Sequence, residues 1–204
     1  MVEKAKISDA FQIAELHCKT IFDGFLPRLG ADFLSSLYVF LIRKETVVVC
    51  RQEGRIIGFA SVANKTRRLL WRFVLNSPKS MLKLLMLTVK RPALIVPVLE
   101  TVHITFGTWL NAPRREFKKQ DLPESELLSM AVIPEQQNNG VGSTILSSLE
   151  TCLKETGITE YRVIVGEKLA EANGFYAKNG FGFATQISIH GQNRSNVYVK
   201  KVII

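Results

Sequence analysis

Gln137, Gly140 and Gly142 stand between an apolar run, Leu127 to Ile133, and a segment in which Val141, Ile145, Leu146, Leu149 and Leu153 recur at helical spacing. The apolar run has the length and content of a buried strand. Pro134 ends it, because proline has no N–H to give to a sheet ladder. The order is strand, glycine turn, helix, so the helix opens at the turn with free N–H groups and the positive end of its dipole. Glycines there let a ligand approach the backbone closely, which makes a site for a phosphate or pyrophosphate. A nucleotide P-loop needs Gly-Lys-Ser/Thr, whereas Gly142 is followed by Ser143 and Thr144 with no lysine. A dinucleotide loop needs a third glycine where this chain has Ile145. Neither pattern is met.

The pattern that is met is Gln137-Asn138-Asn139-Gly140-Val141-Gly142 behind Val132-Ile133-Pro134. It resembles the acyl-CoA pyrophosphate loop of the GCN5-related N-acetyltransferase (GNAT) superfamily. A second stretch resembles that family's Ala-x-x-Phe-Tyr-x-x-x-Gly-Phe signature, with Ala172, Phe175, Tyr176, Gly180 and Phe181 in register. Many relatives carry an asparagine seven residues before the tyrosine, where this chain has Leu169. Asn173, three before it, is found in other members and is the residue expected to supply the polar contact. The resemblance covers the whole chain except residues 64–126.

What the resemblance implies is direct acetyl transfer from acetyl-CoA, as cosubstrate, to an amine. The pyrophosphate would fall to the backbone of Asn139, Gly140, Val141, Gly142 and Ser143, with Gln137 bracketing the turn. Pantetheine would lie along the fourth strand at Met130 and Val132, where a backbone N–H also polarises the thioester oxygen. Tyr176 would lie near the CoA sulfur; a phenol of ordinary pKa near 10 stays protonated at neutral pH and can donate to a departing thiolate. The plainer reading of Tyr176 is an aromatic filling space beside Phe175 and Phe181. Glu126 falls where histone-acetylating members carry a glutamate that acts as base through water; otherwise it is a solvated glutamate at a strand end. His17, His103 and His190 are isolated and read as structural. No metal cluster and no Ser-His-Asp or Cys-His arrangement is evident, and none is needed for direct transfer.

Composition bounds the rest. The 204 residues, 47% hydrophobic, suit one domain spanning 1–204. Cys18, Cys50 and Cys152 are scattered and odd in number, which argues against a disulfide framework and for a reducing compartment. With no apolar leader and no apolar run of about 18 residues, the expected location is the cytoplasm. The net charge of +9 has a place: between Thr66 and Lys119 eleven basic residues face only Glu100 and Glu116, so the remainder of the chain is neutral.

The elements that must position these residues follow in order. Ser8-Asp9 caps a helix with Phe11, Ile13, Ala14, Leu16 and Cys18 on its apolar face. A loop from Asp23 to Gly30, a second helix from Ala31 to Arg43, and a hairpin of Thr46–Arg51 with Arg55–Val62 about Glu53-Gly54 come next. After the central helix, which Gly157 ends, Tyr161–Val165 is a buried strand. Phe183–His190 and Asn196–Val202 close the chain as a hairpin about Gly191–Asn193. The class the resemblance implies is α+β (α/β): a GNAT-like mixed, mostly antiparallel twisted sheet flanked by helices, with a basic helical insertion, 64–126, between the third and fourth strands. In the insertion, Ser77-Pro78 opens one helical stretch and Ala93 to Phe106 forms a second, followed by the basic loop Asn111 to Arg115. Two readings fit it: a packed or intersubunit element with a solvated edge, or a lid or patch that attracts an anionic acceptor or acidic lipid headgroups. No nucleic-acid-binding motif accompanies the charge. The favoured acceptor is a small molecule with a primary amine, such as a free or nucleotide-linked amino sugar. The alternatives are a protein or peptide amine, or a non-catalytic CoA-binding regulatory module; a homodimer is compatible with each.

Overall fold

The β-branched runs of the first half form central strands buried on both faces. In the computed structural model, which describes residues 1–21, 25–77, 82, 84, 86, 88, 122–188 and 194–202, β2 (Thr46–Gln52) and β3 (Arg55–Ala63) pair antiparallel. Val48, Cys50, Ile57 and Ala60 face one side; Val47, Val49, Ile56 and Phe59 face the other. Two apolar layers therefore sit on one sheet.

Among the described residues the sheet has seven strands in the order β1-β2-β3-β4-β5-β7-β6, with β1 at Val2–Lys4, β4 at Glu126–Val132, β5 at Glu160–Gly166, β6 at Gly182–Ser188 and β7 at Arg194–Lys201. All neighbours are antiparallel except β4 and β5. Helices α1 (Ala10–Thr20) and α3 (Ala31–Lys44), joined through the short α2 (Phe25–Arg28), cover one face with Ile13, Ala14, Leu34, Tyr38 and Leu41. Helices α5 (Val141–Glu155) and α6 (Ala170–Lys178) belong to the other face, into which Ile145, Leu146, Leu149, Leu153 and Tyr176 pack. Burial of each aliphatic side chain of α5 stabilises by about 1.5–3 kcal/mol. Glu150 adds a polar tie, accepting from Tyr161 Oη at 2.8 Å and pairing with Lys200 Nζ at 2.6 Å. The helix is thus held along its length, independently of the turn that opens it.

The mixed, mostly antiparallel sheet flanked by helices is the expected class, and two elements add to it. β1 is three residues long, too short for a period to show. Helix α4 (Thr66–Asn76) lies ahead of the expected start at Ser77-Pro78. Its apolar residues run almost consecutively from Leu69 to Val74, which hides a helical period, and its first turn holds no acidic residue to favour the dipole. Packing overrides both: Phe73 is buried between Phe33 and Phe40, and Arg72 pairs with Glu45. Leu82, Leu84, Met86 and Thr88 are also helical. On α1, Phe11 is exposed and His17 is buried in its stead. Asp9 stands at the N-cap of α1 without a side-chain bond to that helix; its carboxylate accepts the Lys6 N–H at 2.8 Å and pairs with Arg51. The expected helix Ala93–Phe106, the loop Asn111–Arg115, the turn Gly191–Asn193 and residues 22–24 of the first loop lie outside the described residues. Among the described residues, no helix is long and apolar enough to cross a membrane.

Candidate active site

The parallel pair β4–β5 is joined only at Glu126↔Arg162 and Leu127↔Val163, while β4 continues to Val132 against β3. Beyond Leu127 the two strands part. Ile133 N–H donates to Ile57 O across the β3 side. Backbone direction alternates along a strand, so Met130 and Val132 present their N–H and C=O groups to the opened side. Leu128 has no partner in the β3 register, because Ser129 pairs with Ser61 and Leu127 with Val62. This bulge puts Leu128 and Ser129 together on the α1/α3 face.

The open edge runs directly to the glycine turn. Gly140 is the N-cap of α5 at φ 77°, a left-handed conformation that suits glycine, and nothing lies within 4 Å of where its Cβ would be. The first helical bond is Thr144 N–H to Gly140 O at 3.0 Å, which leaves the N–H groups of Val141, Gly142 and Ser143 without a partner among the described residues. Gly142 has a different reason: a Cβ there would stand 2.9 Å from the Phe175 ring of α6. The second signature therefore packs on the first. Gln137 Nε2 donates to Val132 O at 2.9 Å, ties the turn to the strand and occupies that carbonyl, so the open edge consists of the Val132 N–H and both backbone groups of Met130.

Tyr176 is 8% exposed, with Phe175 and Phe181 edge-on to its ring. Burial raises its pKa well above the ordinary phenol value, so it stays protonated. Its hydroxyl has no hydrogen-bond partner among the described residues, and it is not a sealed, unsatisfied group. Asn173 is committed on both ends: Nδ2 donates to Gly166 O and Leu169 O, and Oδ1 accepts from Asn196 Nδ2 and Tyr198 Oη at 2.9 Å each. It braces the loop after β5. Glu126 Oε2 accepts Arg162 Nε at 2.8 Å and Nη2 at 2.7 Å, while Oε1 is left without a protein donor among the described residues. Arg162 alternates with Tyr161 and Val163, which pack on the α5 side, so this ion pair lies on the α1/α3 face.

One group of residues has no signature in the sequence. His17 Nδ1 and Tyr38 Oη are 2.6 Å apart, Tyr38 Oη and Ser129 Oγ 3.0 Å, and Ser129 Oγ and Ser61 Oγ 2.8 Å. Only the apolar setting of His17 on α1 hinted at a buried histidine. His103 and His190 lie outside the described residues. Among the described residues no cluster of acids, histidines and cysteines could hold a metal. A polar depression lined by Asn64, Glu124, Ser125, Gly157 and Thr159 sits at the opposite end of β4 and β5 from the turn and contains none of these groups.

The family model for the acetyltransferase (GNAT) domain matches residues 105–182, a stretch that holds both signatures. None of the curated proteins matches. Among solved structures, a GNAT-family protein from Desulfovibrio desulfuricans shares 14% identity at a TM-score of 0.62, over 100% of this chain and 99% of that one. The ribosomal-protein-S18-alanine N-acetyltransferase of Escherichia coli shares 13% at 0.59, over 100% and 94%. The PaiA N-acetyltransferase of Thermoplasma acidophilum, solved with coenzyme A, shares 16% at 0.59, over 98% of both chains. These likenesses show the fold along the whole chain. Residues 105–182 match the acetyltransferase (GNAT) domain model, and the fold of the whole chain is that of GNAT acetyltransferase structures.

Proposed function

We propose that the protein transfers an acetyl group from acetyl-CoA directly to the primary amine of a small molecule. The observation that carries this reading is the parting of β4 from β5 after Leu127↔Val163, which leaves Met130 and Val132 as an open edge leading to the α5 N-terminus. The residues fit the cosubstrate: the free N–H groups of Val141 to Ser143 suit a pyrophosphate, and the edge suits an amide-bearing pantetheine arm. Acetyl-CoA, when bound, supplies an electrophilic thioester carbonyl and a thiolate leaving group. A backbone N–H of the β4 edge polarises the carbonyl oxygen. The amine nitrogen forms its bond to the acetyl carbon as the carbon–sulfur bond breaks. Tyr176 gives its phenolic proton to the departing sulfur and is replenished from solvent. Glu126, through Oε1 and a water, takes the proton lost by the amine. Asn173 and Gln137 hold the loop and the turn in place.

The basic segment supports an acceptor with negative charge, such as a nucleotide-linked amino sugar, through long-range attraction that salt screens. An assay of thiol release from acetyl-CoA tests the reading across glucosamine, a nucleotide-linked amino sugar and a peptide with a free N-terminal alanine. Turnover on an amino sugar supports the small-molecule class. Turnover confined to the peptide replaces it with a protein acceptor, and acetyl-CoA binding without turnover on any amine replaces it with a binding module.

A further inference from the structure

Beneath β4, on the face away from α5, four side chains from four elements form one hydrogen-bonded row: His17 of α1, Tyr38 of α3, Ser129 of β4 and Ser61 of β3. His17, Tyr38 and Ser61 are 3%, 1% and 0% exposed, and Ser129 is half-buried at the open end. Phe59 stacks on the imidazole and stands edge-on to the Tyr38 ring. An apolar set would fill this space at less desolvation cost.

The direction of the hydrogen bonds along the row follows from proton count. Burial lowers the His17 pKa to about 4, so its ring is neutral at pH 7 and one nitrogen is bare. Between a neutral phenol and a neutral imidazole the favoured bond is O–H to N, and 2.6 Å suits a hydroxyl donor better than an N–H donor. Tyr38 thus spends its one proton on His17 Nδ1. Its oxygen can then only accept, so Ser129 donates to it. Ser61 in turn donates to Ser129, to Oγ at 2.8 Å or to the carbonyl at 3.4 Å. Ser129 Oγ has no proton left to offer and keeps a lone pair.

We infer that Ser129 Oγ receives an N–H of the acceptor amine, and that His17 and Tyr38 are positioning residues that keep it an acceptor. The inference rests on the acetyl-transfer reading above. A chain held at the α5 turn and laid along the β4 edge passes through the gap to the α1/α3 face, where Ser129 adjoins Met130 and Glu126 lies on the same side. An amine or ammonium group satisfies a wall that accepts at this point. A carboxylate or carbonyl oxygen in its place meets only lone pairs.

Two measurements test the inference. Nitrogen-15 spectra of the folded protein at pH 7 should show His17 with its proton on Nε2 and Nδ1 bare; a proton on Nδ1 overturns the direction. Thiol release is then followed with hydroxylamine, a small nucleophile that needs no matched pocket, at saturating acetyl-CoA. Ser129→Ala should lower kcat/KM for hydroxylamine about tenfold with the acetyl-CoA KM unchanged, and Ser129→Thr, which keeps the hydroxyl, should restore most of it. Tyr38→Phe should cost about as much alone and add nothing in the Ser129→Ala background. A Ser129→Ala loss within twofold, or additive losses that follow the melting temperature, makes the row packing and overturns the proposal. Wild-type protein that binds acetyl-CoA but releases no thiol above the uncatalysed rate, with hydroxylamine or with any amine of the panel, overturns the acetyl-transfer reading and this one with it.

Discussion

The two faces of the sheet solve different problems with different materials. On the α5 face, the candidate anion site is made of backbone: a left-handed Gly140, the N–H groups of Val141 to Ser143, and the β4 edge. Side chains there, such as Gln137 and Asn173, brace the backbone. On the α1/α3 face, the polar groups are side chains: residues 17, 38, 61 and 129 hold one another inside an apolar layer, and Glu126 is held by Arg162. A ligand common to a whole family can be held by backbone that any sequence supplies. An acceptor that differs between members has to be met by side chains that can vary.

The comparison makes Gly140→Asp the most damaging single change on the α5 face. Its Cβ meets open space, and the left-handed conformation costs an aspartate about 1 kcal/mol, so the fold should survive on the buried stripe of α5. The carboxylate would occupy the positive helix end and repel the pyrophosphate. Acetyl-CoA affinity should fall by ~10³-fold, about 4 kcal/mol, in calorimetric titration. An unchanged affinity in the folded variant would mean that the site is elsewhere.

On the other face the largest effect is on stability. His17 has a folded pKa of about 4 against an ordinary 6.5, so the unfolded chain binds its proton more readily. The contribution is therefore complete above pH 6.5 and is lost as pH falls from there through 4. It amounts to about 3 kcal/mol, beyond what the carboxylates lose. Urea unfolding of wild type and His17→Gln at pH 7, 5 and 4 reads it as a difference of slopes. Parallel slopes would show that His17 reaches solvent and that the row is open.

Legibility from sequence divides along the same line. The turn was readable because backbone geometry is local: a proline, two glycines and a helical stripe fall within about twenty residues, and a second short signature supplies Phe175, the ring that Gly142 must clear. Runs and turns located individual strands in the same way, and the sheet class came with the family resemblance that the two signatures carry. The Ser61–Ser129 contact spans 68 residues and the Tyr38–Ser129 contact 91, and serine in a strand carries no periodic signal. His17 looked isolated because its partner lies 21 residues away on another helix. Glu126 was legible as a position but not as an ion pair, since Arg162 reaches it only through the parallel β4–β5 register.

Tyr176 is the one side chain on the α5 face that is given chemistry, so it tests whether that face is backbone alone. Tyr176→Phe keeps the edge-on rings of Phe175 and Phe181 and removes a hydroxyl that has no protein partner among the described residues, so stability should hardly change. The loss should appear in kcat, ~10²-fold, with the acetyl-CoA dissociation constant intact. A kcat within about twofold would leave Tyr176 as packing and give the leaving group its proton from water.

The smallest effect is the sharpest test of the contrast. Asn139 and Ser143 are exposed residues of the turn, and their side chains make no hydrogen bond to the described residues. If their N–H groups do the binding, Asn139→Ala and Ser143→Ala remove nothing the pyrophosphate uses, and acetyl-CoA affinity should stay within about threefold of wild type, under about 0.7 kcal/mol. Alanine also favours the helix at position 143, which offsets part of any loss. Against this stands the about tenfold cost expected for Ser129→Ala, an equally small truncation on the opposite face. Calorimetry with acetyl-CoA and thiol-release kinetics on the three alanine variants place all of them on one scale. Should Ser143→Ala weaken acetyl-CoA by tenfold while Ser129→Ala changes no constant, the materials of the two faces are the reverse of those argued from the structure.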